Sequence, residues 1–408
     1  MEAVSKRLLL FAATTGYQIR VFADAARRLG VDLTLATDRC HVMEDPWGDR
    51  AVAVKFDRVA ESVDALRGLR FDGVAAVGDQ PAVLAAEAAA ALGIPFHPPR
   101  AARACHDKYR ARQLYQAAGM RVPDFFRVAP GEDPGAAAAR ASYPCVLKPL
   151  GLSASRGVIR ANNQAEFLAA FARISRMGER KIQVESYIDG REFAVEGLVA
   201  KGCFQALAIF DKPDPLEGPF FEETIYVTPS REPGEVQRAL LEAAACAVRA
   251  LGLWHGPVHA ELRWNREGAW MLETAARPIG GLCARALRFA DGMPLEELII
   301  RHALGEDVSG ARREQAAAGV MMIPIPKDGV FESVEGVERA QAVAAIEDVV
   351  ITAKEGQRLV PLPESASYLG FIFARSDRAE EVEAALRRAH GELRFQIATA
   401  LETFKPSS

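Results

Sequence analysis

No C-x-x-C pair occurs in this chain; its six cysteines (Cys40, Cys105, Cys145, Cys203, Cys246 and Cys283) stand singly. That pattern argues against a zinc site and a disulfide framework, and fits a reducing compartment. Positive charge is not in surplus: 50 Lys and Arg against 54 Asp and Glu leave a net charge of -4. The basic footprint of a nucleic-acid or anionic-membrane binder is therefore missing. No apolar run approaches the length that crosses a bilayer. Lys6-Arg7 followed by Leu8 to Ala13 imitates a signal peptide, but the run is short and leads into Thr14-Thr15-Gly16. It reads as a first strand, and a soluble, cytoplasmic protein is expected. There is no G-x-G-x-x-G and no loop ending in G-K-[ST], so neither a dinucleotide fingerprint nor a Walker A loop is present. No reactive Ser-His or Cys-His grouping stands out.

What is there is length and alternation. The 408 residues are too many for one hydrophobic core, so two to four domains are expected. The apolar run 7–13 is followed by helical spacing over 18–29 (Ile19, Phe22, Ala23, Ala26, Leu29), a stop at Gly30, and a strand at 31–36. Val74 to Val77 reads as a buried strand and 81–92 as an alanine-rich helix, with the alanines taken as helix filler. Strand and helix in alternation predict a small open α/β sheet. Pro98-Pro99 marks a boundary, since two prolines bar a helix interior. The stretch 128–135 reads as a loop. Beyond Gly305 the pattern becomes strands near 320–324, 342–350 and 367–374 and a helix at 379–390.

The stretch from His259 to Arg277 carries the most chemistry. Two alternating runs flank Asn265–Gly268, and a three-residue loop closed by Gly268 predicts that Asn265 pairs with Ala269 and Glu261 with Glu273. One face is then apolar, and the other presents Glu261, Arg263, Met271 and Glu273. Facing carboxylates about 5 Å apart at Cβ repel, which a cation between them relieves. Oxygen ligands without His or Cys suit Mg²⁺. A solvated face with Glu261 paired to Arg263 is the alternative, and spacing alone leaves both open.

Lys148 sits in the apolar strand Pro144 to Pro149, where a lone lysine requires an anionic partner. The small residues of Gly151–Gly157 allow backbone N–H groups close to phosphate oxygens, although a plain hairpin turn would look the same. Gln183 to Ile188 is a strand, followed by Glu192, Ala194 and Glu196 in alternation with Phe193 and Val195. Such an edge would suit adenine, although from the residues alone an ordinary hairpin is the favoured reading.

In this order Lys108, Val146-Leu147-Lys148-Pro149, the 151–157 loop, Glu185-Ser186-Tyr187-Ile188, Glu261, Glu273 and Arg277 resemble the ATP-grasp superfamily. Glu273-Thr-Ala-Ala-Arg277-Pro-Ile-Gly280-Gly281 and Ser153 to Arg160 are similar to the dipeptide-forming L-amino-acid ligases. So are Thr15-Gly16-Tyr17-Gln18 and Ser367 to Ile372. The resemblance implies an α/β (α+β) protein with three domains. These are a Rossmann-like open-sheet domain at 1–97, an ATP-grasp domain at 98–305, and an α+β domain at 306–408. Within the second, a nucleotide-binding lid would span about 115–190 and a catalytic lobe about 191–305.

The resemblance also implies roles. Lys108, Lys148, Ser153 and Gly157 would meet ATP phosphates. Glu185, Ser186, Tyr187 and Ile188 would hold adenine, and Glu192 the ribose. Glu261 and Glu273 would bind Mg²⁺, for which Mn²⁺ can substitute. Arg277 and Lys148 would be catalytic, with Lys212, His259, Gly280 and Gly281 against substrate. One departure is Ala275, where many ATP-grasp enzymes place an asparagine. The expected reaction is ADP-forming carboxylate–amine ligation through an acyl phosphate, on small-molecule substrates and without nucleic acid or membrane, with a homodimer as one oligomeric option. The alternatives are another ATP-grasp branch (purine-pathway or biotin-carboxylase-like) or a non-catalytic ATP-binding regulator.

Overall fold

A computed structural model describes residues 5–13, 18–38, 51–365 and 367–399. Residues 14–17, where the strand-to-turn signal falls, and Cys40 lie outside the described residues. Contacts gather the chain into two compact units, each of three stretches: 1–122, 192–211 and 230–315 in the first, 123–191, 212–229 and 316–408 in the second. No helix among the described residues is long and apolar enough to cross a membrane.

The first unit begins with a parallel sheet in the order Ala51–Ala53, Asp32–Thr37, Arg7–Ala12, Gly73–Val77. Leu8, Leu9, Leu10 and Phe11 are all fully buried, as a parallel strand covered on both faces requires. Helices Ile19–Leu29 and Asp79–Leu92 end on left-handed Gly30 and Gly93. The alanines of Asp79–Leu92 are not filler: Ala82, Ala85, Ala86, Ala88 and Ala89 are buried, in one cluster with Ala101, Ala102 and Ala104. Small side chains there permit two helices to approach closely. Pro98-Pro99 also departs from expectation, because a helix starts there, Pro99–His106. Proline is welcome in the first helical turn, whose N–H groups have no intrahelical acceptor.

The first unit also holds most of the strands Gly268–Ala275, Gly256–Asn265, Arg191–Ala200 and Cys203–Lys212, neighbours in that order, the first two an antiparallel pair. Alternation sorts their side chains. Phe193, Val195, Val258, Ala260 and Leu262 join a core with Leu240, Ala244 and Val248 of helix Gly234–Leu251. The opposite face therefore carries Glu192, Glu196, His259, Glu261 and Arg263.

In the second unit the sheet Phe125–Val128, Ile182–Ser186, Cys145–Pro149, Ile159–Ala161 is antiparallel. It packs Leu147, Ile182 and Val184 with Phe167 and Ile174 of helix Gln164–Arg176. A further set of strands runs Ile225–Thr228, Ala317–Ile323, Gly370–Ser376, Ile346–Ile351, with helix Ala379–Glu392 sharing their core. The strand expected at 342–350 begins only at Ile346, because Val337–Gln341 forms a short helix before it.

Candidate active site

The hairpin Gly256–Asn265/Gly268–Ala275 sets the geometry of the first unit's site. Glu261 lies opposite Glu273, but by a different route from the expected one. Asn265 pairs with Gly268, so the loop has two residues, Arg266 and Glu267, and Trp264 faces Ala269 rather than Trp270. The Asn265 side chain closes this tighter turn, accepting the Glu267 N–H at 2.9 Å and the Trp270 indole N–H at 3.1 Å. Gly268 supplies the left-handed φ of 117°. A β-bulge between Glu261 and Leu262 then restores the register, leaving Leu272 without a cross-strand partner. That extra residue sends Met271 and Glu273, two positions apart, to opposite faces. Met271 belongs with Leu262 in the core, both fully buried, and not with the acidic residues as an unbroken alternation predicts.

On the polar face Arg263 donates to Glu192 at 2.9 Å, both side chains being buried. The carboxylate oxygens of Glu192 and Glu261 lie within 4.8 Å of one another. His259 stands between two acids: its Nδ1 is hydrogen-bonded to Glu196 and its Nε2 lies 3.3 Å from Glu261. Burial works against a charged ring, but Glu196 and then Glu261 outweigh it and push the imidazole up to about 9. Ala275, the position without asparagine, is the cross-strand partner of His259.

Lys108 opens helix Lys108–Ala117 behind the N-cap Asp107, which accepts the N–H groups of Tyr109 and Arg110. Its Nζ lies 3.8 Å from Glu273. Arg277 donates to both oxygens of Asp79, at 2.8 and 3.2 Å, and to the Pro278 carbonyl at 3.0 Å. Burial would raise Asp79, yet Arg277 and, less strongly, Lys108 hold its carboxyl below the usual range. Asp79 was not singled out from sequence. The available signal was its place at the start of a helix directly after Gly78 and a parallel strand, where open α/β sheets present their functional groups. Glu196 was likewise passed over as one of several alternating acids. Past Arg277, the Ile279 N–H donates to Glu196 at 3.2 Å and its carbonyl accepts from Gln18 at 2.5 Å. Gly280 is exposed and Gly281 adopts a φ of 61°.

In the second unit the anionic partner of Lys148 is Glu185, at 2.6 Å. Glu185 is 3% exposed and also accepts from the Gln183 amide. The Ser186 N–H reaches the Asp124 carbonyl at 2.9 Å and the Tyr187 N–H the Pro144 carbonyl at 2.9 Å. The Arg160 guanidinium lies 4.1 Å above the Tyr187 ring, and Ile188 is buried. In the 151–157 loop Ala154 and Ser155 adopt successive left-handed φ values of 54° and 56°, and Gly157 one of 68°. Gly157 is tied to the Pro363 carbonyl at 2.9 Å. Ser153 accepts the Arg156 N–H through its carbonyl at 3.3 Å, which curls the loop. Lys212 is buried, paired with Glu223, and lies 5.1 Å from the centre of the Tyr226 ring.

Family models match three parts of the chain: an ATP-grasp N-terminal domain at 23–96, an ATP-grasp domain at 141–286, and an L-amino acid ligase C-terminal domain 2 at 321–398. The crystal structure of an L-amino acid ligase from Bacillus licheniformis is similar over 97% of this chain and 99% of that one, with a TM-score of 0.82 and 28% identity. This chain belongs to the ATP-grasp ligases. Among curated relatives, alanine–anticapsin ligase of Bacillus subtilis is 30% identical over 241 residues. That match covers 53% of this ATP-grasp ligase and 50% of the relative. An uncharacterised protein of Sinorhizobium fredii is 24% identical over 407 residues, 96% of this chain and 83% of that one. The chain is therefore an ATP-grasp carboxylate–amine ligase related to the L-amino acid ligases.

Proposed function

We propose that this ligase activates the carboxylate of an amino acid with ATP and joins it to the amine of a second small molecule, releasing ADP and phosphate. The observation that carries the reading is the pairing of Glu261 opposite Glu273, with Lys108 3.8 Å from Glu273. Facing carboxylates repel, Lys108 and His259 each offset one of them, and the two carboxylates together suit Mg²⁺ or Mn²⁺. Glu261 and Glu273 would hold the metal, which supplies charge neutralisation at the phosphates.

The chemistry asks for positioning rather than a protein nucleophile. A substrate carboxylate oxygen bonds to the γ-phosphorus as the bond to the ADP oxygen breaks. The amine nitrogen then bonds to the acyl carbon, phosphate leaves with the C–O electron pair, and the nitrogen gives up a proton. Arg277 suits the charge that builds on the transferring group. Asp79 and Pro278 use three of its N–H bonds, and a guanidinium has five. Lys148, Lys108, Ser153 and Gly157 are assigned to the phosphates, Glu185, Ser186, Tyr187 and Ile188 to adenine, and Glu192 to the ribose. Lys212, His259, Gly280 and Gly281 are assigned to substrate, and the domains to 1–97, 98–305 and 306–408.

The test is phosphate release from Mg-ATP with all pairs of the twenty amino acids, resolving ADP from AMP. ADP formed only with particular pairs, alongside a condensed product by mass, supports the reading; AMP would overturn it. Ala275 favours a second reading, a nucleotide-binding regulator, for which tight ATP binding without release under any pair is the expected result.

A further inference from the structure

Among the acids on the Glu261 face, Glu196 has no part in the chemistry above, yet it is 1% exposed. Its two oxygens serve two different segments. One is hydrogen-bonded to Nδ1 of His259 on the neighbouring strand, whose Nε2 in turn lies 3.3 Å from Glu261. The other accepts the Ile279 N–H at 3.2 Å, two residues beyond Arg277. Gln18 holds the carbonyl of that same residue at 2.5 Å, so Ile279 is gripped from both sides. Both oxygens of a buried carboxylate need hydrogen-bond partners, and what marks Glu196 is where those partners lie. Here each oxygen ends on a segment that carries site residues.

We propose that Glu196 is a positioning residue that orients the Glu261 carboxylate through His259 and fixes the loop after Arg277 through the Ile279 N–H. Metal-side carboxylate and loop then share one buried anchor. An imidazole bound at both nitrogens has its ring plane set, and a carboxylate held by that ring keeps one rotamer. The cost of ordering a free glutamate is met at folding and not at metal binding. Outer partners that orient a ligand in this way commonly change metal affinity by about 10–100-fold when removed. The inference rests on the proposed assignment of Glu261 to the metal.

The test is Mn²⁺ binding, followed by electron paramagnetic resonance, to the full chain with saturating ADP. Wild type is compared with Glu196→Gln, His259→Gln, the double variant and Glu261→Ala. Glutamine keeps the volume of Glu196 but offers a single acceptor for two donors. Glu196→Gln and His259→Gln are each expected to weaken Mn²⁺ by about 10-fold or more. The double variant is expected to be no weaker than the poorer single, because both act along one chain of contacts. Metal-free ADP affinity should not change. Wild-type Mn²⁺ affinity in either single variant while Glu261→Ala loses the ion overturns the inference and leaves the metal assignment standing. A lowered melting temperature with unchanged Mn²⁺ affinity also overturns it, since packing alone would do that. Unchanged binding in Glu261→Ala overturns the metal assignment and this inference with it. Should Glu196→Gln fail to fold, His259→Gln decides the outcome.

Discussion

Asp79 grips Arg277 with both carboxylate oxygens, at 2.8 and 3.2 Å, across 198 positions of sequence. The pair joins the first turn of helix Asp79–Leu92 to the segment that follows strand Gly268–Ala275. A fork-to-fork contact fixes the guanidinium plane as well as its place, which an ammonium could not match.

Asp79→Ala should therefore destabilise the protein and slow it. Removing one member of a buried pair costs about 3–5 kcal/mol, and this pair, with side chains 15% and 14% exposed, should lose somewhat less. Urea unfolding measures the loss. Turnover should fall by about 10-fold or more while ATP affinity changes little, and a variant as stable and as active as wild type would refute the pairing's importance.

Glu273→Ala should abolish metal-dependent ATP turnover, since one of the two facing carboxylates is gone. The expected loss is roughly 10³-fold or greater, in line with removal of a strong electrostatic contribution to a phosphoryl transition state. Phosphate release at saturating Mg²⁺ is the measurement. Near-wild-type rates would count against the hairpin as the metal site.

Lys148→Ala should weaken nucleotide binding about tenfold or more, read by isothermal titration with ADP and ATP. It also leaves Glu185, 3% exposed, without its lysine. Lys148→Ala/Glu185→Gln is expected to recover stability but not nucleotide affinity. Unchanged affinity in the single variant would move the phosphate contact elsewhere.

Acid should destabilise the first unit through His97. Its Nδ1 accepts the Trp254 N–H at 3.2 Å and its Nε2 lies 3.0 Å from the Pro257 carbonyl, so the neutral ring fills both contacts. Burial pushes its pKa down to about 4, with His255 and His302 adding in the same direction and the Pro257 contact opposing. The unfolded chain, with a value near 6.5, takes up the proton first. Stability is thus complete above about pH 6.5 and is lost as pH falls toward 4, by on the order of 3 kcal/mol. Unfolding free energies between pH 7 and 4.5 should drop more steeply for wild type than for His97→Gln. Parallel curves would show that His97 does not drive the change.

How far the sequence reaches is clearest in the hairpin. Strand periodicity and the Asn265–Gly268 turn signal place Glu261 opposite Glu273 without any structure. The two residues are 12 positions apart, and local pairing follows local pattern. Turn length and the inward side of Met271 depart from that expectation, and the bulge leaves no mark in the pattern. The Asn265 side chain chooses a two-residue loop, and the bulge then compensates for it; either change alone would have shown in the alternation. In Pro98-Pro99 the sequence shows a break, and the structure shows the break to be a helix start.

By itself, then, the order of motifs was enough for the ATP-grasp family, because motifs are short and each is written in contiguous residues. The strands, the helix stops at Gly30 and Gly93, and the need of Lys148 for an acid were legible for the same reason. Only the tertiary structure decided which acid answers which base. Asp79 with Arg277, Glu196 with His259 and Arg263 with Glu192 are separated by 198, 63 and 71 positions. Charge pairing at such range depends on which faces the folded strands and helices bring together, and buried desolvated groups accept only partners delivered at hydrogen-bond distance.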